Sequence, residues 1–200
     1  KIQFANTGSG FQDLVFEADT EQNLTLLPKK KSFFIVGIND IRYYDVKSPT
    51  TSFIYHNAYN GGAALQTTYT QNVGKNFNFA VEYMGLRSLG FYQNSLASSN
   101  NVIFSGHYFS RNKKYEAYAH YIHQNINNQE NGGISDVDLF LNGNTNFDNR
   151  LNLPVNLTAS DSRFAYRRYY FSHQFRPFAS EKFPFNIRHT IFHQANKYYY

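Results

Sequence analysis

Residues 65–125 read LQTTYTQNVGKNFNFAVEYMGLRSLGFYQNSLASSNNVIFSGHYFSRNKKYEAYAHYIHQN. Four extended segments, 65–72, 77–88, 102–110 and 115–126, are joined by a short turn, a long polar loop and a second short turn. In 77–88, Phe77, Phe79, Val81 and Tyr83 fall on one side of a pleated strand and Asn78, Ala80 and Glu82 on the other, because successive side chains point to opposite faces. One side suits lipid or a core and the other suits water. Tyr169, Phe171, His173 and Phe175, set against Arg168, Tyr170, Ser172, Gln174 and Arg176, repeat the pattern later. A half-buried soluble strand alternates in the same way, so alternation identifies the strands and leaves the medium on the apolar side open.

The connections carry the next step. Further strands over 33–46, 51–57, 163–176 and 185–194 bring the expected total to eight. Connections at Lys47, Gly74, Arg111 and Pro177 are short, whereas those after Tyr83 and Ile126 are long. An antiparallel meander with tight turns at one end and wide loops at the other is the pattern of a transmembrane β-barrel, whose strands need about 9 to 11 residues to cross a bilayer. The fold class read from the sequence is therefore all-β, an antiparallel meander forming an outer-membrane barrel or one arc of it. Residues 1–34 read as an irregular N-terminal segment with a short strand over 23–27, and 35–200 as the barrel region. The stretch at about 127–162 is irregular at Gly132, Gly133, Gly143 and Pro154 and acidic at Asp136, Asp138, Asp148 and Asp161, and it reads as a long extracellular loop.

Composition narrows the classes. Hydrophobic residues make up 42% of the chain and mean hydropathy is -0.55, which excludes a helical membrane protein but not a barrel, where only every second strand residue meets lipid. Aromatic residues reach 18%, all of them Tyr or Phe, and tyrosine suits a membrane interface because its ring is apolar and its hydroxyl stays wet. The absence of cysteine removes disulfides, thiolate catalysis and cysteine-ligated metal together. A net charge of +5 is only mildly basic, and the single basic run, Lys29 to Lys31, reads as a solvated turn rather than a nucleic-acid surface.

Three motifs in order, QNVGKNFNFAVEYMGLRSLGFYQN at 71–94, NQENGGI at 128–134 and LNLPVNL at 151–157, resemble the putative porin family of the Bacteroidota outer membrane. The resemblance covers the chain from about residue 43 to 178. It implies antiparallel strands closed into an outer-membrane barrel and passive passage of small polar solutes. Family members are generally much longer, so it also implies that these strands are one arc of a larger barrel. The partners implied are outer-membrane lipid and lipopolysaccharide, with other envelope proteins or barrel protomers beside them and no nucleic acid. Two other readings share the pattern: a structural barrel subunit of a larger outer-membrane assembly, and a soluble β-barrel binding protein.

The candidate residues follow from the two faces. Phe77, Phe79, Val81, Tyr83, Tyr169, Phe171 and Phe175 are the expected lipid-facing or girdle residues. Glu82 and Arg168 on the polar face, with Glu130, Asp136 and Asp138 in the loop, are the expected selectivity residues; an inward arginine facing acidic groups sets a transverse field in a lumen. Adjacent Arg167 and Arg168 are read with one facing inward and the other outward or to the rim; a lipopolysaccharide phosphate contact at the outer rim and a plain surface charge are the alternatives to the lumen-field reading. His120 and His123 also point oppositely, as a lumen residue and an interfacial one, while His189 and His193 share a face but stand about 13 Å apart, too far for one metal. Asp136 and Asp138 offer oxygens that could stiffen the loop around a calcium ion, but the spaced ligands and loop glycine of an EF-hand are missing, and ordinary solvated acids are the favoured reading. No nucleophile elbow, paired-carboxylate motif or phosphate loop is present, so neither enzymatic activity nor a cofactor or metal is expected.

Overall fold

The computed structural model describes all residues except 1, 4–5, 13, 16–30, 32–33, 59–60, 143–144 and 179–184. The strand expected over 23–27 and the first two lysines of the basic run lie outside the described residues. Strands β1 (Ile2–Gln3) and β2 (Phe11–Gln12) form a two-stranded antiparallel ribbon. Strands β3 (Thr50–Ala58), β4 (Gly62–Val73), β5 (Phe77–Ser88), β6 (Ala97–Phe109), β7 (Tyr115–Glu130), β8 (Ser160–Phe175) and β9 (Ile187–Tyr199) form one antiparallel sheet in chain order. Among the described residues neighbours pair only with neighbours, so β3 and β9 are open edges. Among the described residues no helix is long and apolar enough to cross a membrane.

Local chemistry accounts for the turns. Gly74 adopts φ 69 in the three-residue turn between β4 and β5, a conformation that costs glycine little. The β6–β7 connection is closed by Ser110, whose Oγ donates to Asn112 Oδ1 at 2.7 Å and accepts from the Tyr115 amide at 2.9 Å. These turns share one end of the sheet with the β8–β9 connection and the entry to β3. The opposite end carries the 89–96 and 131–159 connections.

Several strands run longer than the sequence reading, β9 to Tyr199 rather than 194 and β8 from Ser160 rather than 163 among them, and two of the differences fall on residues read as loop. Residues 97–101 and 127–130, read as loop because of their Asn and Ser content, pair as strand, with Ala97 opposite Asn128 and Asn101 opposite Gln124. Polar side chains do not prevent a ladder when backbone donors on both strands are in register. The long connection therefore spans 131–159, not 127–162.

The third difference concerns residues 33–46, expected as a strand. No part of 34–46 pairs in the sheet; the segment crosses one of its faces as a strap. Its extended pattern is broken at 37–40, where the Gly37 amide donates to Asp40 Oδ2 at 2.7 Å, a local side-chain turn that competes with a ladder. The main buried cluster lies between strap and sheet: Ile41 packs with Ile103, Ile122, Ile126, Phe164 and Tyr166, flanked by Phe34, Ile35, Val36, Tyr43 and Met84. Lys31 also departs from the solvated turn read for it, since it is buried and its amine donates to the Ser162 carbonyl at 3.3 Å.

Candidate functional site

The sheet has two unlike faces. Alternate residues on the covered face are buried, and most are polar: Asn78, Glu82, Ser105, His120, Gln124, Arg168, Ser172 and Gln174. A buried polar group needs a partner, and here the strap supplies many of them. Ser105 Oγ donates to the Arg42 carbonyl at 3.0 Å. Gln124 Oε1 accepts from the Val36 amide at 3.3 Å, and its Nε2 donates to the Phe34 carbonyl. Asn72 accepts from the Val46 amide at 3.3 Å and donates to Asp45 at 2.7 Å. The backbone donors and acceptors of a segment outside the sheet are thus met by side chains of the face it crosses.

Arg168 is the centre of this contact. At 1% exposure it is the largest fully buried side chain. Its guanidinium donates to His120 Nε2 at 3.0 Å, to the Tyr166 hydroxyl at 2.5 Å, and to the strap carbonyls of Gly37 at 2.9 Å and Val36 at 3.4 Å. Because His120 Nε2 accepts from Arg168, its Nδ1 carries the proton and donates to the Tyr43 hydroxyl at 2.7 Å. Burial, with Tyr170 beside it, raises the Tyr43 phenol above its ordinary 10.0, so the strap docks with this group neutral. Glu82 is buried on the same face, with the Tyr44 hydroxyl and the Arg42 charge of the strap near it. Both charged residues assigned to a lumen lie on the covered face, and Arg168 holds the strap by hydrogen bonds.

The acidic loop candidates sit elsewhere, and none is a partner of Arg168. Glu130 accepts from Ser162 Oγ at 2.5 Å. Asp136 is exposed and caps the short helix α1 (Val137–Leu141), its carboxylate accepting from the Asp138 amide at 3.0 Å and the Leu139 amide at 3.4 Å. Asp138 lies exposed in the first turn of α1. Among the described residues no group of three or more potential metal ligands is present.

The three sequence motifs meet at the long-loop end. Asn94 Nδ2 donates to the carbonyls of Glu130, Leu157 and Ser160 at 2.9, 3.2 and 3.2 Å. Gln93 donates to the Leu151 carbonyl at 2.8 Å, and the Leu157 amide to the Asn131 carbonyl at 2.9 Å. Gly132 adopts φ 65, and a Cβ there would lie 2.9 Å from Leu157 Cγ, so both conformation and space call for glycine. The signal linking these motifs was their order in the chain; their mutual contact required the tertiary fold.

On the opposite face, Phe77, Phe79, Val81 and Tyr83 of β5 continue across the register through Phe104 of β6 and Tyr121 of β7 to Tyr169, Phe171 and Phe175 of β8. Phe77, Tyr83, Phe104, Tyr169, Phe171 and Phe175 are exposed large rings, while Phe79 and Val81 are half-buried among them. Nothing in the described residues covers this face. His123 is on it and His120 is beneath the strap, as their parity required. His189 also lies on the aromatic face, directly opposite His173 on β8, at 3.3 Å between ring nitrogens.

Residues 1–200 match a protein family described as putative porin. No curated protein and no solved structure matches the chain. An antiparallel meander with one aromatic and one polar face agrees with that assignment, and the match spans every strand of the sheet. The chain belongs to the putative porin family.

Proposed function

We propose that this sheet is one arc of an outer-membrane β-barrel, with its aromatic face toward lipid and its covered face toward a lumen through which small polar solutes diffuse. The observation that carries the reading is the opposition of the faces. Large exposed rings on six of the seven strands would be an aggregation hazard in water, whereas they match the apolar band and girdle of a barrel wall. The open edges at β3 and β9 support closure by further strands, because unpaired edges are not tolerated in lipid. In this reading the long connections face outward, Glu130, Asp136 and Asp138 bias ion entry at the mouth, and residues 34–46 narrow the passage.

A second reading, a structural wall whose lumen is held shut, is favoured by the strap itself. Planar-bilayer recording of the full-length protein separates the two, with deletion of 34–46 as the comparison. Conductance in the parent that rises on deletion supports a narrowed channel. A silent parent supports the structural wall, and a protein that stays monomeric and folded without detergent overturns both.

A further inference from the structure

Three cations and an apolar depression lie close together on the aromatic face. Arg163 and Arg167 of β8 lie on the same side as Tyr169 and Phe171, and all are exposed. In the register, Ala165 pairs with Lys197 of β9, Arg167 with Ala195 and Arg163 with Tyr199. Lys197 therefore stands between the two arginines on the adjacent strand, within about 7–8 Å of each along the diagonals. Arg163 donates to Asn125 Oδ1 at 3.3 Å. Among the described residues, none of the three cations has an ion-pair partner. Asp161, one outward position beyond Arg163, is the acid nearest to them along β8 on this face.

Below this trio the face is hollow. Gly106 and Ala119 are cross-strand partners, and Phe171 is opposite Ala119 and Ile191. Here the face holds a shallow, open depression of about 530 Å³ lined by Phe77, Phe104, Ala119, Tyr169, Phe171 and Ile191, with the Phe77 ring beside Gly106. Tyr169, in that lining, follows Arg167 by one outward position, roughly 7 Å along the strand. The cations therefore sit next to an apolar depression on the same face, with Tyr169 between them and it.

We propose that Arg163, Arg167 and Lys197 bind the phosphate headgroup of an anionic membrane lipid in the leaflet facing the long loops, with one acyl chain lying in the hollow beneath. The inference rests on the membrane reading above. Charge complementarity selects the occupant: three convergent cations at an interface repel one another until an anion joins them, and arginine forks fit phosphate oxygens. The apolar trough then distinguishes a lipid from free phosphate, because only a lipid carries a chain to bury there.

The test is native mass spectrometry of the full-length protein in neutral detergent, titrated in turn with diphosphoryl lipid A, phosphatidylcholine and inorganic phosphate. The expected result is one retained lipid A, lost with a tenfold or greater weakening in R163Q/R167Q/K197Q. Ala119→Phe, which fills the trough, should weaken lipid A retention several-fold with the cations intact. Equal retention by parent and triple variant, equal retention of phosphatidylcholine, or phosphate binding as tight as lipid binding would overturn the proposal. Heat-modifiable gel migration reports folding separately: each substituted position is exposed, so the variants should shift as the parent does. If the variants do not shift, R167Q and K197Q singly provide the same comparison. A parent that never shifts and needs no detergent removes the membrane reading and this inference with it.

Discussion

Replacing Arg168 with methionine should release residues 34–46 while leaving the sheet in place. The guanidinium makes two of its four hydrogen bonds to strap carbonyls, Gly37 at 2.9 Å and Val36 at 3.4 Å, and the others to His120 and Tyr166 within the sheet. Hydrogen bonds from a charged donor are worth about 1.5–3 kcal/mol each, and the longer contact belongs at or below the low end of that range. Methionine also removes the cost of burying a charge, which offsets part of the loss. A net weakening of strap docking by about 2–3 kcal/mol follows, or a factor of roughly 30–150 in the docking equilibrium. Exposure of 1% leaves little solvent screening to reduce the figure. The assay is hydrogen exchange on the folded full-length protein in detergent. The Val36 amide, which donates to Gln124 at 3.3 Å, should lose protection by that factor, while amides in the β7–β8 ladder keep theirs. Equal loss in strap and ladder would mean that Arg168 supports the sheet rather than the strap. Unchanged protection in both would refute the assignment of Arg168 as the clamp.

Three further outcomes test other parts of the reasoning. Val81→Arg places a cation in the aromatic face and should cost about 2–4 kcal/mol in bilayer insertion if the residue lies at mid-membrane, measured as folding efficiency into lipid vesicles against denaturant. Gly85→Ala should cost about 1 kcal/mol, because a Cβ there would lie 2.6 Å from the Tyr83 hydroxyl; denaturant unfolding should show the cost disappear in the Tyr83→Ala background. The pH dependence of docking follows from Tyr43, whose phenol is raised above 10.0 in the docked strap. Docking is unaffected while the undocked phenol is neutral and is lost as pH climbs from there toward the higher docked value, so protease cleavage within 34–46 should rise on the alkaline side; Tyr43→Phe should reduce that rise, leaving the part due to Tyr44, whose phenol is also raised by burial.

Much of the sheet was legible because strand periodicity is a local property. The bounds of 77–88 coincide with β5, and the reading of 51–57 falls inside β3. The parity of Arg167 and Arg168 and of His120 and His123 followed from the pleat alone. Where the reading stopped short, at 97–101 and 127–130, Asn and Ser content stood for loop, although pairing across the hairpin makes strand there. The segment over 33–46 failed for a different reason. It has the composition of a strand, but whether extended backbone finds a ladder or a lining of side chains depends on what lies across from it. Glu82 and Arg168 were legible as polar-face residues, and the bonds from Arg168 to Val36 and Gly37 were not.

The sequence by itself determined the all-β meander, the hairpin at Gly74, and the division of each strand into an aromatic and a polar side, since these depend on residues within a few positions of one another. Only the tertiary structure decided that the polar side is roofed by residues 34–46, that Asn94 joins Glu130 to Leu157, and that Lys197 comes to stand between Arg163 and Arg167. These last contacts join positions up to 132 residues apart in the chain, as in the bond from Arg168 to Val36, and no local pattern encodes which distant surface a segment will meet. Backbone groups left without a ladder had to find donors and acceptors somewhere, and the buried polar face of the sheet supplied them.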